Sequence, residues 1–222
     1  MTSTLKEASQ IEPPCFTEVF RDDLTRLFAW RRDVRHFSAK PVAPSLIDSL
    51  LDIAQLSPSV GNSQPWRWVA VESEFARSKI LDSFRQCSAR ALEAYSDEQA
   101  RLYVKLKLEG IEAAPVQFAV FCDQTTAQGH GLGRATMPET LNYSVVASIL
   151  TFWLAARAHG LGVGWVSILD AEEIHRALEA PAPWKFVAYL CIGWPIETHL
   201  QPELSRRGWQ ARTTAGRTVL RR

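Results

Sequence analysis

No CxxC pair occurs in this 222-residue chain, and its four cysteines, Cys15, Cys87, Cys122 and Cys191, stand far apart. Such spacing argues against a disulfide framework or a zinc ribbon, and the four are expected to be buried free thiols. The five histidines form no HExxH or comparable pair, so no metal site is expected. Excess charge of one sign is also missing. A formal net charge of +1 gives no field that would draw the chain to nucleic acid or an anionic membrane. The longest apolar run, Val145 to Ala156, is closed by Arg157 and is shorter than the roughly 20 residues that span a bilayer. The first residues, Met1 to Pro14, lack the apolar stretch of a signal peptide, and a cytoplasmic location is expected. No repeat or shift of composition divides the chain.

What is present is an ordinary globular composition, 46% hydrophobic and 22% charged, in a chain long enough to bury a substantial core. Apolar residues recur at helical spacing from Phe16 to Trp30, with Phe16, Val19, Phe20, Leu24, Leu27 and Phe28 on one face. Pro44 can open a second helix, with Leu46, Ile47, Leu50, Leu51 and Ala54 as its buried stripe. Strands are expected over Trp66 to Val71, Val116 to Cys122, Val163 to Leu169 and Lys185 to Ile192. Between them lie a long helical stretch from Glu74 to Glu109, broken near Ser96, and an apolar helix from Leu141 to His159 stopped by Gly160. A short helix is expected over Ala171 to Glu179, and irregular chain follows Gly193. Interleaved strands and helices imply an α/β or α+β sandwich.

The densest local signal is Arg31-Arg32-Asp33-Val34-Arg35, three guanidiniums around one carboxylate. Arginine suits planar anions such as phosphate, because its rigid fork of donors makes paired charge-assisted hydrogen bonds. Asp33 would repel such an anion, so it either partners an arginine or does chemistry. On residue type alone the partner role is the commoner one. The two glycine patterns, Gly129 to Gly133 and Gly160 to Gly164, lack the spacing or the strand-to-helix order of a dinucleotide fingerprint. Gly162 and Gly164, inside a strand, suggest close approach of a ligand. Asn62 and Gln64 could read the edge of a heterocycle or simply build a turn.

Several of these pieces together resemble one family. They are the double arginine after the first helix, the run Pro58-Ser59-Val60-Gly61-Asn62-Ser63-Gln64-Pro65-Trp66, the helix ending in Gly160-Leu161-Gly162-Val163-Gly164-Trp165, and a late basic pair. The pattern is similar to the flavin-dependent nitroreductase superfamily. Arg31 to Arg35, Leu106 to Ile111, Leu154 to Ala158, Gly162 to Ile168 and Arg207-Gly208-Trp209 resemble its flavin destructase subgroup. The likeness spans Phe16 to Gln210. It implies a single domain over residues 16–210, with 1–15 and 211–222 as flexible or partner-wrapping tails. The fold implied is α+β, a mostly antiparallel sheet flanked by helices, in a domain-entwined homodimer with FMN at the subunit interface.

By the same resemblance Arg31, Arg32 and Arg207 hold the FMN phosphate, Val34 lies along the cofactor, and Arg35 sits by the pyrimidine end of the flavin. Pro58, Ser59 and Asn62 come from the second subunit, and the backbone of Gly164 and Trp165 approaches the flavin edge. Asp33 and Ser167 mark the destructases, in which reduced FMN is a substrate. Dioxygen is the co-substrate, the ribityl chain is cleaved, and dimethylbenzimidazole, the lower ligand of cobalamin, and erythrose 4-phosphate are the products. Asp33 would be the base and Ser167 a donor that holds oxygen. A separate flavin reductase would supply the reduced FMN, and Ser83 to Gly110 would form a lid over it. An NAD(P)H-dependent nitro- or flavin reductase and a non-catalytic flavin-binding protein are the alternatives.

Overall fold

A computed structural model describes residues 12–106 and 110–222. Most of the expected N-terminal tail, residues 1–11, lies outside the described residues, as do Lys107, Leu108 and Glu109 of the Leu106 to Ile111 stretch.

Four strands form one sheet: β1 (Trp66–Ala70), β2 (Val116–Asp123), β3 (Gly162–Val166) and β4 (Trp184–Gly193). Their order is β1-β2-β4-β3, and every neighbouring pair is antiparallel. This settles the choice between α/β and α+β in favour of α+β. Strand β2 is central and has six consecutive buried residues, so both faces of the sheet are covered. Its side chains alternate between two cores. Phe118, Val120 and Cys122 join α2 (Pro44–Ala54) and α6 (Thr140–Ala158) on one face. Ala119 and Phe121 join α3 (Glu74–Glu93) and α7 (Ala171–Ala177) on the other.

Local chemistry sets the helix ends. In α3 the hydroxyl of Ser73 accepts a hydrogen bond from Ala76 N at 3.2 Å. In α7 Asp170 Oδ1 accepts from Glu172 N at 3.0 Å and Glu173 N at 3.1 Å. Pro44 occupies the first turn of α2, where its missing N–H costs nothing. Gly160, at φ +81°, ends α6 as expected. Helix α6 is, among the described residues, long and apolar enough to cross a membrane by length and composition. Here it is the central core helix, with Val145, Ile149, Phe152 and Ala156 fully buried.

Four expectations change. The segment Phe16 to Trp30 does form a helix, α1 (Glu18–Trp30), capped by Thr17, but none of its residues is buried. Helical periodicity reports an apolar face and not what covers it. Strand β3 stops at Val166, so Ser167 lies in the irregular chain that follows instead of within the strand. The long stretch after Glu74 divides as expected, with α4 (Asp97–Lys105) starting after Ser96 and a single turn, α5 (Gly110–Ala113), before β2. The irregular C-terminal chain contains one further turn, α8 (Glu203–Arg206). Finally, Cys122 and Cys191 are buried, but Cys15 is exposed and Cys87 only partly covered.

Candidate active site

The segment Arg31 to Ser38 runs along the open edge of β3. A parallel bridge links Asp33 to Val163, Val34 N donates to Val163 O at 3.1 Å, and an antiparallel bridge links Phe37 to Pro195. This packing gives the strand glycines a close neighbour within the chain. A Cβ on Gly162 would lie 2.8–2.9 Å from the Val34 side chain, and a Cβ on Gly164 would overlap the Val34 carbonyl oxygen. Val34 of the chain itself makes the close approach that was expected of a ligand.

Asp33 is held from two sides. Its Oδ1 accepts the backbone N–H of Trp165 at 2.8 Å, and its Oδ2 accepts from Arg35 Nε at 3.2 Å. Burial raises its pKa above the usual carboxylate value. The Trp165 N–H and the Arg35 guanidinium pull the other way without cancelling the burial. The ion-pair partner and the perturbed acid are therefore the same residue.

A C-terminal arm crosses this segment. Arg32 Nε donates to Leu200 O at 2.7 Å, and Ile196 N donates to His36 O at 3.1 Å. Glu203, at the start of α8, lies 3.5 Å from Arg207 Nε, 3.8 Å from His36 Nε2 and 4.0 Å from Arg35 Nε. Arg31 stacks on Trp153, 4.8 Å from the ring centroid. Burial, then the positive charges of Arg31 and Arg212, lower the pKa of Arg32.

Two concavities meet at Asp33, Val34 and Arg35. One is a narrow recess that also takes in Arg32, His36, Arg157, His199 and Arg206. The other, of about 300 Å³, is walled by Trp165 and Ser167 after β3, by Tyr95, Tyr103, Leu106 and Gly110 of the expected lid, and by Leu204 and Trp209 of the arm. Tyr95, Tyr103 and Trp209 form an aromatic cluster with ring centroids 5.4–6.3 Å apart. Arg35 Nη1 and Tyr103 Oη, on the wall of this cavity, are buried and have no hydrogen-bond partner. Buried donors left open in this way are what a polar planar ligand would satisfy.

The structure thus brings together Arg32, Asp33, Val34, Arg35, Gly164, Trp165 and Ser167. Arg31 and Arg207 line neither concavity, and Arg206 occupies the recess instead. Pro58, Ser59 and Asn62 lie elsewhere in the chain. Ser59 Oγ accepts from Gln64 N at 3.0 Å, Asn62 O accepts from Gln128 Nε2 at 2.8 Å, and their loop is tied to α6 by Val60 N donating to Ser144 Oγ. Residue-type reasoning missed Glu203, Tyr95 and Tyr103 as part of the site. Nothing local distinguishes them from surface residues until the arm and lid fold over. Among the described residues no cluster of three or more His, Cys, Asp or Glu could hold a metal.

The geometry can be set beside known proteins. The profile of the Nitroreductase family matches residues 28–194, and the chain belongs to that family. Its fold is shared with an iodotyrosine deiodinase solved with FMN and 3-iodo-L-tyrosine bound, at a TM-score of 0.67 and 21% identity over 79% of this chain and 91% of that one. A nitroreductase family protein from Clostridium novyi NT aligns at a TM-score of 0.61 and 16% identity over 78% of this chain and 86% of that one.

Within the family the chain falls with the 5,6-dimethylbenzimidazole synthases. It is 58% identical to the one from Rhodospirillum rubrum over 199 residues, 90% of this chain and 94% of that protein. It is 50% identical to the one from Rhodobacter capsulatus over 195 residues, 88% of this chain and 94% of that protein. The chain is an enzyme of this family. Its cavity fits a flavin: the aromatic slot matches a planar ring system, the open donors of Arg35 and Tyr103 match ring polar atoms, and Arg32, Arg157 and Arg206 of the recess, which also holds Glu197 and Glu203, are donors suited to a phosphate.

Proposed function

We propose that this enzyme fragments reduced FMN with dioxygen, giving 5,6-dimethylbenzimidazole, the lower ligand of cobalamin, and releasing erythrose 4-phosphate. The observation that carries the reading is Asp33, a half-buried carboxylate with a raised pKa, placed where the aromatic cavity meets the cationic recess. The names of relatives up to 58% identical support it. Bound reduced flavin supplies the electrons that dioxygen takes up, and the protein orients, shields and moves protons.

In this reading Arg32 and Arg206 of the recess neutralise the phosphate, Val34 lies along the flavin, and Arg35 faces its pyrimidine end. The backbone of Gly164 and Trp165 lies at the ring edge. Asp33 takes a proton from the ribityl chain, a task for which its raised pKa suits it near neutral pH. Ser167, across the same cavity, donates its hydroxyl hydrogen to oxygen. The lid and Trp209 exclude bulk water and nicotinamide.

A homodimer belongs to the same proposal. Helix α1 has no fully buried residue within one chain, and Val19, Phe20, Leu24, Phe28 and Trp30 on it, with Phe16 just before it, are 37–70% exposed. An apolar surface of that kind calls for a partner, and Pro58, Ser59 and Asn62 would reach the flavin from the second copy. Residues 16–210 form the working domain. A cytoplasmic location and a separate flavin reductase, the source of reduced FMN, complete the picture.

The test is to mix the protein with chemically reduced FMN and air, without nicotinamide, and to look for dimethylbenzimidazole. The wild type should make it. Asp33→Ser should bind FMN and lose roughly 10²–10⁴-fold in rate, the usual contribution of a positioned base. An unchanged rate with FMN bound would remove Asp33 from the chemistry. No product from the wild type, alongside NAD(P)H-dependent reduction of a nitroaromatic, would replace this reading with a nitroreductase.

A further inference from the structure

None of these roles uses the carboxylate of Glu203, yet it is among the most enclosed charges at the site. Its side chain is only 8% exposed, and Oε1 is buried without a hydrogen-bond partner. Arg207, His36 and Arg35 surround it at 3.5, 3.8 and 4.0 Å, close enough to attract but not hydrogen-bonded. A buried carboxylate normally accepts at least one hydrogen bond, so this one is set for a contact it does not make in this state.

The missing contact is on Arg35. One nitrogen, Nε, hydrogen-bonds Asp33 at 3.2 Å and faces Glu203 at 4.0 Å, while the buried Nη1 is left for the flavin ring. One guanidinium therefore stands between two carboxylates. When Asp33 turns to a substrate hydroxyl, Arg35 would become an uncompensated cation with a side chain 14% exposed unless Glu203 receives it. Glu203 also anchors the arm whose Leu204 and Trp209 wall the aromatic cavity.

We propose that Glu203 is a positioning residue. It docks the C-terminal arm onto the Asp33–Val34–Arg35 segment and takes over Arg35 when Asp33 engages its substrate. The inference rests on the assignment of Asp33 as the base.

Asp33 is faced by Arg35, by Glu203 and by the Cys191 thiol of β4. Glu203 is faced by Arg35, His36 and Arg207, with Glu197, His199 and Arg206 on the same recess. The experiment uses the protein without flavin, so it needs no turnover. The Asp33 carboxyl is titrated by ¹³C NMR, assigned with Asp33→Asn, and hydrogen exchange is followed over residues 203–210. In Glu203→Gln one negative charge is gone and Arg35 turns wholly to Asp33, so the Asp33 midpoint should move to lower pH. Exchange over the arm should become roughly tenfold faster. Glu203→Asp, which keeps the charge, should restore the arm's protection. Should Glu203→Gln not fold, Arg207→Gln removes a cation at a 41% exposed position. Glu203 then draws Arg35 harder, and the Asp33 midpoint should rise. A midpoint unchanged in the variant that folds overturns the proposal, as does unchanged arm exchange in Glu203→Gln. Either result leaves the fragmentation assay free to stand or fall on its own.

Discussion

Replacing Gly164 by alanine tests how the site is assembled. The new Cβ would overlap the carbonyl oxygen of Val34 and lie 3.4 Å from its carbonyl carbon and 3.8 Å from Phe37 Cζ. The obstacle is backbone, so no rotamer change relieves it. Restoring an ordinary C···O separation requires the Val34 peptide to move by about 1 Å. Such a shift strains the Val34 N–Val163 O bond of 3.1 Å and the Trp165 N–Asp33 Oδ1 bond of 2.8 Å. Overpacking typically costs about 1–3 kcal/mol, and weakening the two bonds adds about 1–3 kcal/mol. For a chain of this size the sum corresponds to a fall in Tm of roughly 5–15 °C. Calorimetric melts of the flavin-free protein measure it, with Gly216→Ala as the control, since nothing lies within 4 Å of that Cβ. Gly162→Ala should fall between them, because its contact at 2.8–2.9 Å is with the Val34 side chain. A Gly164→Ala melt within about 2 °C of wild type would refute the claim that the arginine segment is seated on β3 by these glycines.

Two further predictions concern charge and assembly. Burial holds the folded-state carboxyl of Asp33 above its unfolded value, so the folded chain binds that proton more tightly. The resulting stability is full below the unfolded value of about 3.9 and is lost as pH rises through the folded value. Asp33→Asn stays neutral and still accepts from Trp165 N, so in urea melts its advantage over wild type should widen from about pH 4.5 to about pH 7; a constant or shrinking gap would contradict the raised value. Separately, Phe20→Glu with Leu24→Glu places charges on the exposed stripe of α1, where each apolar side chain is worth about 1.5–3 kcal/mol once covered. Wild type should sediment as a dimer and the pair as a monomer, and an unchanged sedimentation coefficient would remove α1 from the interface.

Local chemistry made much of the fold legible. Pro44 and Ser96 mark helix starts and Gly160 a helix stop because caps and φ constraints act within a few residues. The nearly unbroken apolar run of β2 fits a strand buried on both faces. Arg31 to Arg35 was visible as a charged segment, and Asp33 as its odd member. The resemblance supplied the family before any geometry was known.

Covering, in contrast, is a long-range property. The spacing of α1 showed an apolar face, but only the folded chain shows that α6 covers it in part and leaves Phe20, Leu24 and Phe28 exposed. Gly162 and Gly164 announced a close approach, and only tertiary structure identified Val34 as what approaches. Glu203 lies 168 residues from Arg35 (203 − 35) and carries no local mark. Its burial between two guanidiniums and the His36 ring exists because the arm folds back across the β3 edge. The sequence by itself determined the elements, the family and the groups available for chemistry, since these depend on residue type and short-range periodicity. The tertiary structure alone decided which carboxylate is desolvated and which guanidinium is shared, because both depend on what lies within a few ångströms.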